Sequence, residues 1–201
     1  MTTPIENTTA ATPVAPEERE TERGAALVEF SVVALLLMTL ILGTIELSLA
    51  WTDTLVLDQA TRSAARVGAR MTDDPESDRE ALRALVSNLE GEDLAQVEFV
   101  VIYEAGATGE VPPGCLTAAG ANCNRYDAAA LAELDNDARW GCGGGSLDGN
   151  WCPSGRDPQI TSPVNLGVYI ESRRAWITSA LPGGGIDLSS ETVMRLDPLV
   201  R

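Results

Sequence analysis

From Phe30 to Ile45 the chain runs sixteen residues without a charge, FSVVALLLMTLILGTI, then places Glu46 and resumes an apolar LSLAW as far as Trp51. As a helix, Phe30 to Trp51 is about 33 Å long, enough to cross the hydrocarbon core of a bilayer. Such a stretch is too long for a core strand, and a membrane is the surrounding that suits it on every face. Trp51 then falls at the outer interface, where an indole ring is favoured. Met1 to Arg23, rich in Thr, Pro, Ala and Glu and lacking apolar periodicity, reads as a disordered leader. Arg19 and Arg23 precede the apolar run. Acidic residues count little in the positive-inside rule, so the surrounding Glu17, Glu18, Glu20 and Glu22 still permit a cytoplasmic N-terminus.

The helical pattern continues past Trp51. Leu57, Ala60, Ala64, Val67 and Met71 recur at spacings of three and four, so one helix is expected from about Ala25 to Met71. Asp53, Asp58, Arg62, Arg66 and Arg70 flank that stripe and read as a solvated face. Asp73-Asp74-Pro75 should end the helix, because proline disfavours helical geometry in the residue before it. A second helix is expected over Ser77 to Leu89, with Leu82, Leu85, Val86 and Leu89 on one face and Gly91 as its stop. Val97 to Tyr103, Leu166 to Ile170 extending to about Ile177, and Thr192 to Leu196 have the β-branched and aromatic density of strands. Between the first two lies a Gly/Pro/Asn/Asp-rich loop, 105–163. The expected fold is α+β: a long N-terminal helix, a second helix and a small antiparallel sheet.

All four cysteines, Cys115, Cys123, Cys142 and Cys152, fall in that loop. An even number of cysteines in irregular sequence beyond a membrane segment reads as two disulfides in an oxidising compartment, which puts the C-terminal domain outside. Four cysteines allow three connectivities; proximity favours Cys115 with Cys123 and Cys142 with Cys152. The organisation expected is therefore a cytoplasmic leader, 1–24, a single transmembrane helix, 25–51, and an extracytoplasmic α+β domain, 52–201.

Composition narrows the function. Net charge is −16, with fourteen basic residues that are all Arg, and there is no His. A surface of that sign repels a phosphate backbone, so nucleic acid is not an expected partner. Without His the commonest general base and the commonest zinc ligand are missing. No nucleophile with a base, no phosphate loop and no metal-ligand set is present, so neither an enzyme nor a cofactor nor a metal is expected. Asp135-Asn136-Asp137 and Asp148-Gly149-Asn150 offer oxygen ligands for calcium, but their spacing fits no complete calcium loop, and Asp-Gly is equally a turn signal.

One segment points to a specific biology. Arg23-Gly24-Ala25-Ala26-Leu27-Val28-Glu29-Phe30 puts a glycine at the polar edge, four uncharged residues, a glutamate, an aromatic and then the apolar helix. This resembles the processing site of type IV prepilins and pseudopilins, where a membrane aspartyl peptidase cuts after the glycine and leaves Glu as the fifth mature residue. By that resemblance Gly24, Ala25, Glu29 and Phe30 form the processing site, with Ala25 the new N-terminus. The stretch from Arg23 to Arg70, through Gly24, Glu29, Phe30, Gly43, Glu46, Ala64, Ala65, Arg66 and Gly68, is similar to the TadE-like family of tight-adherence (Tad) pilus assembly proteins. LGVYIESRRAWIT and VMRLDP look like the closing strands of relatives from high-GC bacteria. The acidic leader departs from the family's commoner basic one, and Phe30 stands where major Tad pilins carry Tyr. The resemblance implies a minor pseudopilin-like protein whose partners are other pilins and pseudopilins, Tad assembly components, a prepilin peptidase and the lipid bilayer.

A glutamate five residues into an apolar helix needs a partner or headgroup water, and in a pilus the resemblance supplies the α-amino group of a neighbouring subunit. Glu46 reads either as a side chain reaching outer-leaflet water or as a polar contact between helices. Two other readings stay open. Ser48 and Ala50 offer small residues for signal peptidase, which would release a secreted protein beginning at Trp51. An uncut signal anchor could equally carry a binding domain unrelated to pili.

Overall fold

The computed structural model describes residues 16–89, 94–156, 164–178 and 183–197. Two compact units make up the chain, Met1–Thr44 and Ile45–Arg201. Helix α1, Pro16–Met71, runs through both. It begins earlier than the sequence pattern suggests: the stretch up to Arg23 reads as disordered, yet its residues from Pro16 onward are helical, while 1–15 lie outside the described residues. Proline suits a first helical turn, and the following Glu and Arg are good helix formers whose acidic members favour a helix N-terminus. Extending a helix already nucleated downstream costs far less than starting one, so composition that cannot support a core can still add turns.

The end of α1 is set by Thr72, a non-glycine residue at φ 49°. Its amide donates to the Gly68 carbonyl at 3.2 Å, and the Ser77 hydroxyl donates to the same oxygen at 3.2 Å. The left-handed turn thus meets one of the carbonyls a helix end leaves unpaired. Helix α2 follows over Ser77–Asn88, burying Ala81, Leu82 and Leu85; Gly91, its expected stop, lies outside the described residues.

The sheet has four strands, β1 Val97–Ala105, β2 Cys123–Asp127, β3 Asn165–Ala175 and β4 Gly185–Arg195, all antiparallel in the order β2-β1-β3-β4. A bulge between Val97 and Phe99 shifts the alternation, so that Val97, Val100 and Ile102 face the helices while Phe99, Val101, Tyr103 and Ala105 face away. The helix-side layer joins Leu57, Ala60 and Ala64 of α1 and Leu82 and Leu85 of α2 to Leu166, Val168 and Ile170 of β3. The opposite layer is smaller and is covered by Val111, Leu116 and the Cys115–Cys123 disulfide.

Two elements inside the expected loop escape the sequence reading. Strand β2, CNRYD, is short and polar, and its extended form comes from pairing with β1 rather than from its own propensity. Helix α3, Ala128–Ala132, starts at Asp127, whose carboxylate accepts from the Ala130 amide at 2.8 Å. Strand β4 also starts seven residues before the expected Thr192.

The disulfides are Cys115–Cys123 and Cys142–Cys152. The second loop is fastened through a fully buried ion pair, Asp78 of α2 with Arg156, whose two guanidinium nitrogens reach the carboxylate at 2.6 and 2.8 Å. Asn124 and Tyr126 of β2 each donate to the same carboxylate at 2.8 Å. Asn124 also takes the Trp151 amide at 2.8 Å, and Arg156 lies over the Trp151 ring at 3.8 Å. Burial, followed by the Asp78 charge, pushes the Tyr126 hydroxyl well above its ordinary pKa. Helix, strand and loop thus converge on one carboxylate.

Removing it strands a buried guanidinium. Asp78→Ala is expected to cost about 3–5 kcal/mol, whereas Arg83→Ala, which breaks exposed pairs with Glu80 and Asp135, should cost under about 1 kcal/mol. Denaturant titration of the purified protein in detergent measures both. A second test lies in β3: a Cβ at Gly167 would fall inside the Tyr103 ring packed across it. Gly167→Ala should therefore lose about 2 kcal/mol or more in the same titration, since the ring cannot move without giving up its bond to the Gly109 carbonyl.

Candidate functional site

The motif residues Gly24, Ala25, Glu29 and Phe30 all lie on α1, and all are exposed. Phe30 is 71% exposed, and the large apolar side chains after it, from Val32 to Ile45, are exposed around the helix apart from half-buried Leu42. Nothing in the described chain covers them. The segment is long and apolar enough to cross a membrane. Its hydroxyls turn inward: Ser31 donates to the Val28 carbonyl at 2.7 Å, Thr39 to Leu36 at 2.8 Å and Thr44 to Leu40 at 2.8 Å. Every polar group of the run is thereby satisfied within the helix, as a non-aqueous surrounding demands.

Gly24 and Gly43 stand out within this stretch. A side chain at either position would meet nothing within 4 Å. Glycine inside a helix costs about 1 kcal/mol relative to alanine, and no close packing here compensates for it. Gly68 is different: a Cβ there would meet Leu166 and Ala81 at ordinary contact distances of 3.4 and 3.5 Å, so the position faces the packed interior. Gly68 thus lies against the domain's interior, whereas Gly24 lies against nothing within 4 Å. Glu29, likewise, has no ion-pair or hydrogen-bond partner among the described residues.

From Glu46 onward the same helix takes on a different character. Glu46, Ala50, Asp53, Leu57, Ala60, Thr61 and Ala64 are buried, a face repeating every three or four residues. Its small members let the helix lie close to the sheet, and its polar members are matched along the β3–β4 hairpin. The Glu46 carboxylate accepts from the Thr178 amide at 2.7 Å and the Thr178 hydroxyl at 2.9 Å. Asp53 pairs with Arg174. Ser190 donates to Asp58 at 2.5 Å, and Thr61 shares hydrogen bonds with Ser190 at 3.0 Å and Thr192 at 3.1 Å. The sequence left Glu46 between outer-leaflet water and a neighbouring helix; the structure instead ties it to its own chain. Asp53 and Asp58, read as members of a solvated face, are likewise engaged by the hairpin, because the helix turns them toward partners distant in sequence. Arg62, Arg66 and Arg70 do stay exposed.

The oxygen-rich clusters considered for calcium are otherwise occupied. Asp135 pairs with Arg83 and Asp137 with Arg79, while buried Asp148 accepts from the Gly141 and Cys142 amides at 3.1 Å each. Among the described residues no group of three or more His, Cys, Asp or Glu could hold a metal.

The family described as TadE-like protein has a model that matches residues 24–66, so the chain carries a TadE-like domain beginning at Gly24. No curated protein and no solved structure matches the chain. The matched segment contains both the exposed apolar stretch and most of the sheet-docking face. If the small residues of that face serve close approach, Ala64→Leu should cost about 1–3 kcal/mol by overpacking, while Arg66→Ala on the exposed side should change stability by less than about 0.5 kcal/mol. Thermal unfolding of the two variants in detergent compares them directly.

Proposed function

We propose that this chain, carrying a TadE-like domain at residues 24–66, is a membrane-anchored minor pseudopilin-like protein that acts in the assembly of a Tad-type pilus. A prepilin peptidase cuts after Gly24, Ala25 becomes the N-terminus, and the apolar helix holds a disulfide-bonded domain outside the membrane. Its partners are other pilins and pseudopilins, Tad assembly components and the bilayer, and the reading assigns it no reaction of its own.

The observation that carries the proposal is the exposed glycine at position 24, which nothing within 4 Å requires, standing at the start of the family match and five residues before a carboxylate that has no partner among the described residues. A peptidase cleft gives both features a reason. Glycine lacks a Cβ and lets an extended backbone approach closely. Glu29 becomes the fifth residue behind a new α-amino group, and an unpaired carboxylate in low dielectric is costly enough to favour association with a neighbour's amine. The two disulfides support an oxidising compartment for the domain. Release by signal peptidase after Ala50 is disfavoured, because it would discard Glu46 and with it the bonds that hold Thr178.

Mass spectrometry of the membrane-extracted protein distinguishes the readings: an N-terminus at Ala25 supports the proposal, Trp51 supports a secreted product and Met1 or Thr2 an uncut anchor. Gly24→Trp should leave the full-length precursor in the membrane. Glu29→Gln should be trimmed normally yet crosslink to pilus subunits about tenfold less, the equivalent of about 1.4 kcal/mol. If Gly24→Trp is still trimmed to Ala25, or if neither variant changes processing or crosslinking, the pseudopilin reading fails.

A further inference from the structure

We infer that the segment just after strand β3, at Ile177 and Thr178, is a second membrane contact, held by Glu46 against the outer surface of the bilayer that the apolar helix crosses. This rests on the anchoring reading above and extends it from the helix to the folded domain.

Residues 25–45 form 21 helical residues, about 31 Å at the usual rise, which is the full thickness of a hydrocarbon core. Glu46, the first carboxylate after the run and the first helix residue buried by the folded domain, marks the outer edge, five residues short of the Trp51 boundary that the apolar pattern alone suggests. Its side chain is fully buried, and it accepts from both the amide and the hydroxyl of Thr178. A residue beyond the far end of an 11-residue strand is thereby brought to the level where the helix leaves the lipid. Asp53 holds Arg174 of the same strand two turns further along the helix, and Glu46 adds the tie nearest the lipid.

The surface around the junction has interfacial composition. Ile177, beside the tethered threonine, is 68% exposed; Leu47 and Trp51, on the first turns after the run, are 60% and 69% exposed. Three large apolar side chains thus stand exposed on either side of a part-buried hydrogen-bonded junction, one of them a tryptophan, the residue that headgroup depth favours. Just beyond them Arg174 is paired with Asp53 and Arg173 with Asp187, so charge resumes immediately outward of the apolar rim. A bilayer interface asks for this order, apolar first and ionic next. A second copy of the chain is a poorer occupant, because each copy carries a net charge of −16.

The test uses the full chain reconstituted in phosphatidylcholine vesicles, with one fluorophore attached through Ile177→Cys, Val33→Cys or Thr108→Cys, the native cysteines being paired in disulfides. Nitroxide lipids labelled at the headgroup or deep in the acyl chain, and aqueous iodide, serve as quenchers. The label at 177 should be quenched by the headgroup nitroxide at least threefold more than the label at 108, which lies beside Val193 at the opposite end of β4. The label at 33 should respond to the deep nitroxide. Adding Glu46→Ala should lower the 177 signal about twofold or more without changing 33, while Glu46→Gln, which keeps an oxygen to accept both bonds, should preserve it. Equal headgroup quenching at 177 and 108, with 33 still deep, overturns the inference and leaves the anchor standing. Protection of 177 from iodide without lipid quenching means a protein covers it, and also overturns the inference. Persistence of the 177 signal in Glu46→Ala removes the tether. Loss of deep quenching at 33 defeats the anchoring reading itself.

Discussion

The close approach of α1 to the sheet is the constraint on which the domain depends. Ala60, Ala64, Ala65 and Gly68 leave so little side chain between helix and strands that Leu166 would touch any Cβ added at Gly68. At that separation the helix cannot rotate or slide without forcing larger residues into the gap, so its register on the sheet is settled. Once it is, Glu46, Asp53, Asp58 and Thr61 come opposite Thr178, Arg174, Ser190 and Thr192. The polar contacts refine an arrangement that the small residues make possible.

This gives one continuous helix two jobs with opposite demands. Before Glu46 its apolar side chains are exposed all round and its hydroxyls are satisfied internally. After Glu46 it has a buried face and a charged one. Glycine shows the contrast most clearly: Gly68 faces the packed side chains of Leu166 and Ala81, and Gly24 and Gly43 face nothing within 4 Å. A residue that costs helix stability and serves no contact in the folded chain points to an encounter outside it.

Much of this was legible in the sequence. The apolar run, the helix continuing to Met71, the second helix and three of the four strands carry strong periodicity or β-branched density, and these signals are local. The calcium clusters carry only local signals of the same kind, whereas Asp135, Asp137 and Asp148 are taken by arginines and amides that spacing cannot reveal. Strand β2 was missed because Cys-Asn-Arg-Tyr-Asp has no intrinsic preference strong enough to announce itself; its extended form is lent by β1. The helical stretch before Gly24 was missed for a related reason, since helix propagation there is inherited from the run that follows.

The sequence by itself determined the elements and the motif: where an apolar helix must lie, that a glycine and a glutamate stand five residues apart at its start, and that paired cysteines brace a long loop. These are properties of neighbours along the chain, governed by hydropathy, helical rise and turn chemistry. Only the tertiary structure decided which carboxylates are spent internally. Glu46 and Glu29 look alike in one dimension, each a lone acid in apolar surroundings. One is fully buried against Thr178, 132 residues away, and the other is left exposed with no partner among the described residues. That distinction depends on which distant segments the packed helix brings within hydrogen-bonding distance.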